Sequence, residues 1–480
     1  MAATSFENKQ SLLIPSLCAA LASFLVLQYV SNRKRRQEEQ HNLLGRCQQP
    51  QPPAYEKLIG STPLVRLDRL SDSVGRSIWV KMESMNPGAT GKDRAALGMI
   101  EHAEKAGLLP SPVLTSLASL NLYPDESSPT EIDSSCSKSE NQHQRKEDHM
   151  SQIIQEAWKK SRSGGIVVEG TSGSTGIALA TLSAARGHAC LVVLPDDQAT
   201  EKQAILKALG AVIYVVPTAA ISNPNHYVNI ARRLAEQACA KGIQAVFINQ
   251  FENQANFDIH YNVTGPEIFS QFQTSANNEV SILQFLTGKR QKTLDAFIMS
   301  AGTGGTISGI GKYLKEQSVG KCRVVLVDPP GSSLYNKIKH GVAFAIQQRE
   351  QTLQRHRYDT IAEGIGLDRV TNNLSLGLDF IDDAIRVSDQ EAVDMAHFLL
   401  NVEGLWIGSS SAMNVVGAVR VALELENKSN VATVICDSGS RHVTRMWNRD
   451  FILRQELLWP CGSAEGVGQR IPDCLVELLA

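Results

Sequence analysis

The sequence predicts an α/β protein with mostly parallel sheets, and three observations carry that expectation. Short apolar runs rich in β-branched residues recur along the chain, amphipathic stretches of helical length separate them, and glycine-rich turns follow several of the runs. Such runs read as strands buried on both faces, and their alternation with helices joins parallel strands through crossovers. Composition agrees: of 480 residues, 42% are hydrophobic and 20% charged, enough apolar surface for a core and too much for a disordered chain. At roughly 100–200 residues per domain the length allows two to four domains.

In chain order the strand candidates are SIWVKM (77–82), GIVVEG (165–170), ACLVVLP (189–195) and AVIYVVP (211–217). AVFIN (245–249), AFIMS (296–300), CRVVLVD (322–328) and ATVICD (432–437) continue the series. Amphipathic helices are expected over Lys202–Leu209, His226–Lys241 and Ser388–Asn401. Two stretches break the rhythm. Residues 111 to about 150 are rich in Ser, acidic and amide residues and read as an exposed, disordered insertion; 274–292 reads as a shorter loop with a basic GKRQK patch.

The N-terminus differs from the rest. Ser11 to Val30 carries no charge over 20 residues, about 30 Å as a helix, which matches a bilayer core. Arg33-Lys34-Arg35-Arg36 follows it, so residues 1–36 are expected to be a membrane anchor with the rest of the chain on the cytosolic side. Residues 37–54, Gln-rich and ending near prolines, read as a linker.

Charge and cysteine content exclude several classes. Lys+Arg is 47 against Asp+Glu 49, so no basic field is present to hold nucleic acid. The nine cysteines form no CxxC pair, which argues against a disulfide framework, a zinc ribbon or an iron–sulfur site. No metal site is expected.

Four turns look chemical. Asn86-Pro87-Gly88-Ala89-Thr90-Gly91-Lys92-Asp93-Arg94 leads from a strand into a helix. Its glycines are too close for a nucleotide-binding P-loop and Asp93 follows the lysine, so Lys92 is by itself either a surface lysine at a helix start or an amine nucleophile for a carbonyl cofactor. Burial would lower its pKa, as a free amine requires. Glu169-Gly170-Thr171-Ser172-Gly173-Ser174-Thr175-Gly176 sits between a strand and an apolar helix, where N–H groups and hydroxyls suit a carboxylate or phosphate. Ser300-Ala301-Gly302-Thr303-Gly304-Gly305-Thr306-Ile307-Ser308-Gly309 has the same setting. Ile307 stands where a dinucleotide fingerprint needs glycine, so a single phosphate monoester fits better. Gly408-Ser409-Ser410-Ser411 and Asp437-Ser438-Gly439-Ser440 complete the set.

Together these motifs resemble the pyridoxal-phosphate enzymes of fold type II, specifically the cysteine synthase/cystathionine β-synthase family, and most the fungal mitochondrial cysteine synthase-like branch. The resemblance runs from Ile59 (IGSTPLVRLDRL) to Asn448 and includes Gln250-Phe251-Glu252-Asn253, His260-Tyr261, Thr264-Gly265-Pro266-Glu267 and Glu363-Gly364-Ile365-Gly366, in order. It implies a two-domain, tryptophan synthase β-like fold, each domain a mostly parallel twisted sheet flanked by helices. A large cofactor-binding domain would comprise 55–80 with 256–455, a small domain 81–255, and a tail 456–480. It also implies a homodimer and, with the anchor, a single-pass place in the mitochondrial outer membrane.

By the same resemblance, Lys92 would carry pyridoxal 5′-phosphate covalently and act as base at the substrate Cα. Gly302, Thr303, Gly304, Gly305 and Thr306 would hold the phosphate, Ser174 would face the cofactor, and Ser410 would contact its pyridine nitrogen. Thr171, Ser172, Gly173, Thr175 and Gln250 would grip the substrate carboxylate. The implied reaction is β-replacement, in which O-acetylserine and sulfide give cysteine and acetate in two half-reactions. Cystathionine synthesis, cysteine desulfhydration, or non-catalytic cofactor and amino-acid binding by a membrane-tethered protein are the alternatives. Three positions depart from the family pattern: Ser174 for a usual Asn, Ser411 for a Gly, and Ser440 for a Glu.

Overall fold

A computed structural model describes residues 53–113, 142–196, 198–219, 221–278, 293–344, 360–460 and 472–476. Its strands divide between two sheets. The six-stranded sheet has the order β1-β2-β10-β7-β8-β9, formed by Leu64–Arg66, Ser77–Met82, Asn430–Ile435, Ala296–Ser300, Arg323–Asp328 and Asp383–Arg386. All its neighbours are parallel except β1 and β2, which pair antiparallel with Val65 opposite Val80. The four-stranded sheet has the order β5-β4-β3-β6, from Val212–Val216, Ala189–Pro195, Gly165–Gly170 and Gln244–Phe247, and is parallel throughout.

The expected strands are all present, four of them with the boundaries read from sequence (77–82, 165–170, 189–195 and 296–300). Both faces of each sheet are covered, which is why the strands read as unbroken apolar runs. Ile78 and Val80 turn to one core with Val415 and Val419, while Trp79 and Phe297 turn to another with Phe272 and Ile310. In the smaller sheet Val167 and Val192 face Ile177 and Met99, and Val168 and Val193 face Leu234 and Ile154. Strands β1 and β9 were not expected: at three and four residues they are too short to show a period. The Asp389–Glu403 helix begins at a capping box between Ser388 and Glu391 and stops at Gly404, whose φ of 73° no other residue type adopts as cheaply.

Three expectations need correction. The end of the insertion is ordered: a helix runs over Gln142–Lys160, because Ile153, Ile154 and Ala157 form an apolar stripe that packs on the four-stranded sheet. Within the tail, set apart above from the large domain, Leu475 is buried and Trp459 and Cys474 pack on the core of the six-stranded sheet, so the described part joins that domain. The third concerns the membrane. The stretch 11–30 lies outside the described residues, and among those described no helix is long and apolar enough to cross a bilayer. The 19-residue Gln142–Lys160 helix is strongly charged, and the apolar Ser409–Glu424 helix has 16 residues, short of the ~20 a span needs. The single-pass, outer-membrane placement is therefore withdrawn.

Candidate active site

A cavity of about 1390 Å³ opens where the C-terminal ends of strands from both sheets face one another, as ligand sites do in open parallel sheets. Lys92, Ser172, Ser174, Thr175, Gln250, Gly302, Thr303, Gly304, Thr306 and Ser410 all line it. Thr171, Gly173 and Gly305, expected among the ligand contacts, stand just behind.

Lys92 opens the Lys92–Lys105 helix, and the turn before it is braced from several sides. The Gly88 amide donates to Asp93 Oδ2 at 2.6 Å, the Gly91 amide to the Cys436 carbonyl at 3.2 Å, and Arg441 to the Gly88 carbonyl. Burial pushes the Asp93 carboxyl up to about 6. Beneath the helix, Arg94 pairs with Glu83 and with Glu267, and Lys81 with Glu267, each at 2.7 Å. Burial works against the Glu267 charge, but Arg94 and Lys81 prevail and hold that carboxyl at about 2. The neighbours of Lys92 are thus locked, yet among the described residues its own amine has no hydrogen-bond or ion-pair partner. Burial lowers its pKa, with Cys436 and Asp437 opposing in part. A desolvated, partner-free amine in a cavity is an activated nucleophile and base.

The turn after β7 is shaped by backbone contact. A Cβ on Gly302 would lie 2.1 Å from the Gly364 carbonyl oxygen; Gly304, at φ 88°, packs on the Leu374 backbone. Asn256 donates to Thr303 Oγ1 at 2.9 Å and Thr371 to the Thr303 carbonyl at 2.7 Å. The first amide of the Gly305–Gln317 helix to reach a backbone carbonyl is that of Ser308, on Gly304. The amides before it point at the cavity mouth of the turn, a ready anion site.

The turn after β3 repeats the device. In the Ser174–Arg186 helix the first bonded amide is Ile177, on Gly173. Thr171 Oγ1 accepts from the Gly173 amide at 3.2 Å, which explains why Thr171 faces inward. Thr175 donates to Gln250 Oε1 at 2.6 Å, so these two brace each other, while Ser172 and Ser174 line the cavity beside them. Below Gln250 lies Glu169, pushed by burial up to about 8 and hence protonated at neutral pH.

Ser410 sits in the first turn of the Ser409–Glu424 helix, 5% exposed. The departures at Ser411 and Ser440 have plain structural roles. Ser411 Oγ accepts from the Cys436 amide at 2.9 Å and ties the end of β10 to this helix. Ser440 is exposed, bonded to Ser438 and away from the cavity.

Sequence reading missed a buried ionic chain on the cavity wall. Lys202 Nζ lies 3.2 Å from Glu363 Oε1, His442 Nδ1 lies 2.9 Å from Glu363 Oε2, and His442 Nε2 lies 2.9 Å from Asp437 Oδ2. Arg445 also reaches Glu363, at 3.2 Å. Glu363 and Asp437 did stand in motifs singled out above, but nothing local marks Lys202 or His442.

The geometry admits pyridoxal phosphate: one helix N-terminus for its phosphate, a free amine for its carbonyl carbon, and the buried Ser410 lining the same cavity. Comparison with known proteins agrees. The family model described as "Pyridoxal-phosphate dependent enzyme" matches residues 55–118 and 146–437. A Saccharomyces cerevisiae protein named "Putative mitochondrial cysteine synthase" is 38% identical over 90% of this chain and 91% of its own length. The Neurospora crassa protein "Cysteine synthase 2" is 40% identical over 82% of this chain and 72% of its own. Among solved structures, an O-ureido-L-serine synthase covers 84% of this chain and all of its own, with a TM-score of 0.58 at 25% identity. With its free lysine, its two anion-binding turns and these matches, the chain belongs to the pyridoxal-phosphate-dependent enzyme family.

Proposed function

We propose that this protein is a cysteine synthase, converting O-acetylserine and sulfide into cysteine and acetate. The observation that carries this reading is the pairing of two helix N-termini on one cavity with a partner-free lysine between them. One anion site suits the cofactor phosphate and the other an amino-acid carboxylate. The relatives named as cysteine synthases support the same substrates.

The chain's residues divide the work. The amides of Gly302 to Thr306 and the Thr303 and Thr306 hydroxyls would hold the phosphate. Ser172, Ser174 and the first amides of their helix would hold the substrate carboxylate, with Thr171, Gly173, Thr175 and Gln250 keeping that loop in shape. Bound there, pyridoxal phosphate supplies an electron sink for charge developing at the substrate Cα. Ser410 would offer the ring nitrogen a neutral hydroxyl, which would keep that sink weak and favour loss of a β-substituent. Lys92 Nζ takes the Cα proton as acetate leaves, and returns a proton to Cα once sulfide has added at Cβ. The lobe partition of 55–80 with 256–455 against 81–255, and a homodimer, belong to the same reading.

The test is direct. The full chain, loaded with pyridoxal phosphate, should form one acetate per cysteine from O-acetylserine and sulfide by a ping-pong rate law, and Lys92→Ala should abolish this. Turnover that survives Lys92→Ala, or a wild-type protein that ignores O-acetylserine and condenses serine with homocysteine, overturns the reading.

A further inference from the structure

Lys202 belongs to the Thr200–Ala208 helix, beside the four-stranded sheet, and is 2% exposed. Its stem lies on the carboxylate loop: a Cβ on Gly173, whose φ is 125°, would stand 2.4 Å from Lys202 Cδ and 3.2 Å from its Cβ and Cγ. Its ammonium crosses the cavity wall to Glu363, in the loop that touches the phosphate turn through Gly364. From Glu363 the chain of charges continues through His442 to Asp437.

Asp437 and its neighbours end at the lysine turn. Thr90 forms an isolated antiparallel bridge with Asp437, and the Gly91 amide bonds the Cys436 carbonyl. Arg441, next to His442, holds the Gly88 carbonyl. Gly408 closes this end, since a Cβ there would lie 2.1 Å from Asp437 Oδ1 and 2.5 Å from His442 Nε2. No side chain fits between the pair and the backbone.

The His442 contacts require a cation. A carboxylate oxygen stands 2.9 Å from each ring nitrogen, and a neutral imidazole would set an unprotonated nitrogen against one of them, so the protonated ring is the form that fits both acids. Burial opposes the charge, but Asp437 and Glu363 raise the His442 pKa to about 9. Arg445, Arg441 and Lys202 are the further cations beside the two acids, and with His442 they hold both carboxyls ionised. The Glu363 contact is an ion pair without hydrogen-bond alignment, which leaves that junction able to slide.

We propose that Lys202, Glu363, His442 and Asp437 form a positioning relay that links occupancy of the carboxylate loop to the Lys92 turn. A carboxylate settling on Ser172 and Ser174 fixes Gly173, and with it the Lys202 stem that rests on it. Lys202 then fixes Glu363, and the His442–Asp437 pair fixes the backbone that carries Thr90 and Gly91. The lysine is thereby steadied when a substrate is present. This inference rests on the carboxylate-loop reading above, and none of the four residues is assigned a chemical step.

Backbone hydrogen exchange on the full, pyridoxal-phosphate-loaded chain tests it, with L-alanine as a probe that has a carboxylate and no leaving group. In the wild type, saturating L-alanine should slow exchange in 171–175 and in 86–92 together. In His442→Gln and in Lys202→Met, protection should persist at 171–175 and vanish at 86–92, and Lys202→Arg should restore it. Protection of 86–92 that survives both variants overturns the relay, as does a wild type protected at 171–175 alone. Loss of protection at both segments in the variants also overturns it, because the chain would then be shoring up the whole cavity. A wild type unprotected at 171–175 removes the carboxylate-loop reading, and the relay falls with it.

Discussion

The two anion-binding turns are built on the same plan, yet they are held differently. The turn at Gly302–Thr306 is fixed by backbone: Gly302 abuts the Gly364 carbonyl, Gly304 abuts Leu374, and Asn256 and Thr371 clamp Thr303. The turn at Thr171–Thr175 rests instead on the flexible stem of Lys202, with a Thr175–Gln250 hydrogen bond across it. Backbone cannot give way without moving a whole element, whereas a lysine stem can. The rigid turn suits a resident cofactor phosphate, and the yielding one a carboxylate that arrives and leaves each cycle.

Substitutions can break that contrast. The largest effect is expected between the two turns, at the amine itself: Lys92→Ala should cut the rate of cysteine formation by at least about 10³-fold, with the melting temperature little changed. Gly302→Ala comes next. Its new methyl meets a carbonyl that cannot step aside, an overpacking cost of about 1–3 kcal/mol, and cofactor retained after gel filtration should fall sharply. Gly173→Ala meets only lysine methylenes, although its positive φ adds strain. It should keep the cofactor and raise KM for O-acetylserine. Equal cofactor loss in both variants would erase the distinction.

Two smaller effects appear in stability against pH. Burial raises the folded-state pKa of Glu169 to about 8, from an ordinary 4.5. The unfolded chain therefore releases this proton first, and the contribution, full below 4.5, is lost as pH rises through 8. Glu169→Gln should remove that slope, so the variant gains in melting temperature relative to wild type between pH 5 and 8, as roughly set by those two values. For His442 the folded value of about 9 lies above an ordinary 6.5. Its stabilisation is full below 6.5 and lost as pH rises through 9, and His442→Gln should flatten that limb alone.

The legible part of the site was the part encoded locally. Lys92 and both glycine-rich turns each follow a strand and open a helix, so spacing along the chain was enough to mark them. The hydroxyl sequence Thr171-Ser172-Gly173-Ser174-Thr175 marked a loop but not its facing: Thr171 turns inward because the Gly173 amide needs an acceptor. The ionic chain was illegible because its members come from three segments that meet only in the fold. Strand β9 escaped for a related reason. Its four residues, DAIR, carry too little pattern, and its place is set by pairing with β8. Leu475 fell in a tail set apart from the large domain because its core partners, on the Ser409–Glu424 helix, lie far back in sequence.

The most direct test of the central claim is the visible absorbance of the full chain loaded with pyridoxal phosphate, recorded as O-acetylserine and then sulfide are added. The cofactor band should move to longer wavelength with O-acetylserine as acetate is released, and should return with sulfide as cysteine forms. A band that O-acetylserine leaves unchanged, in a protein that binds the cofactor through Lys92, would contradict that claim.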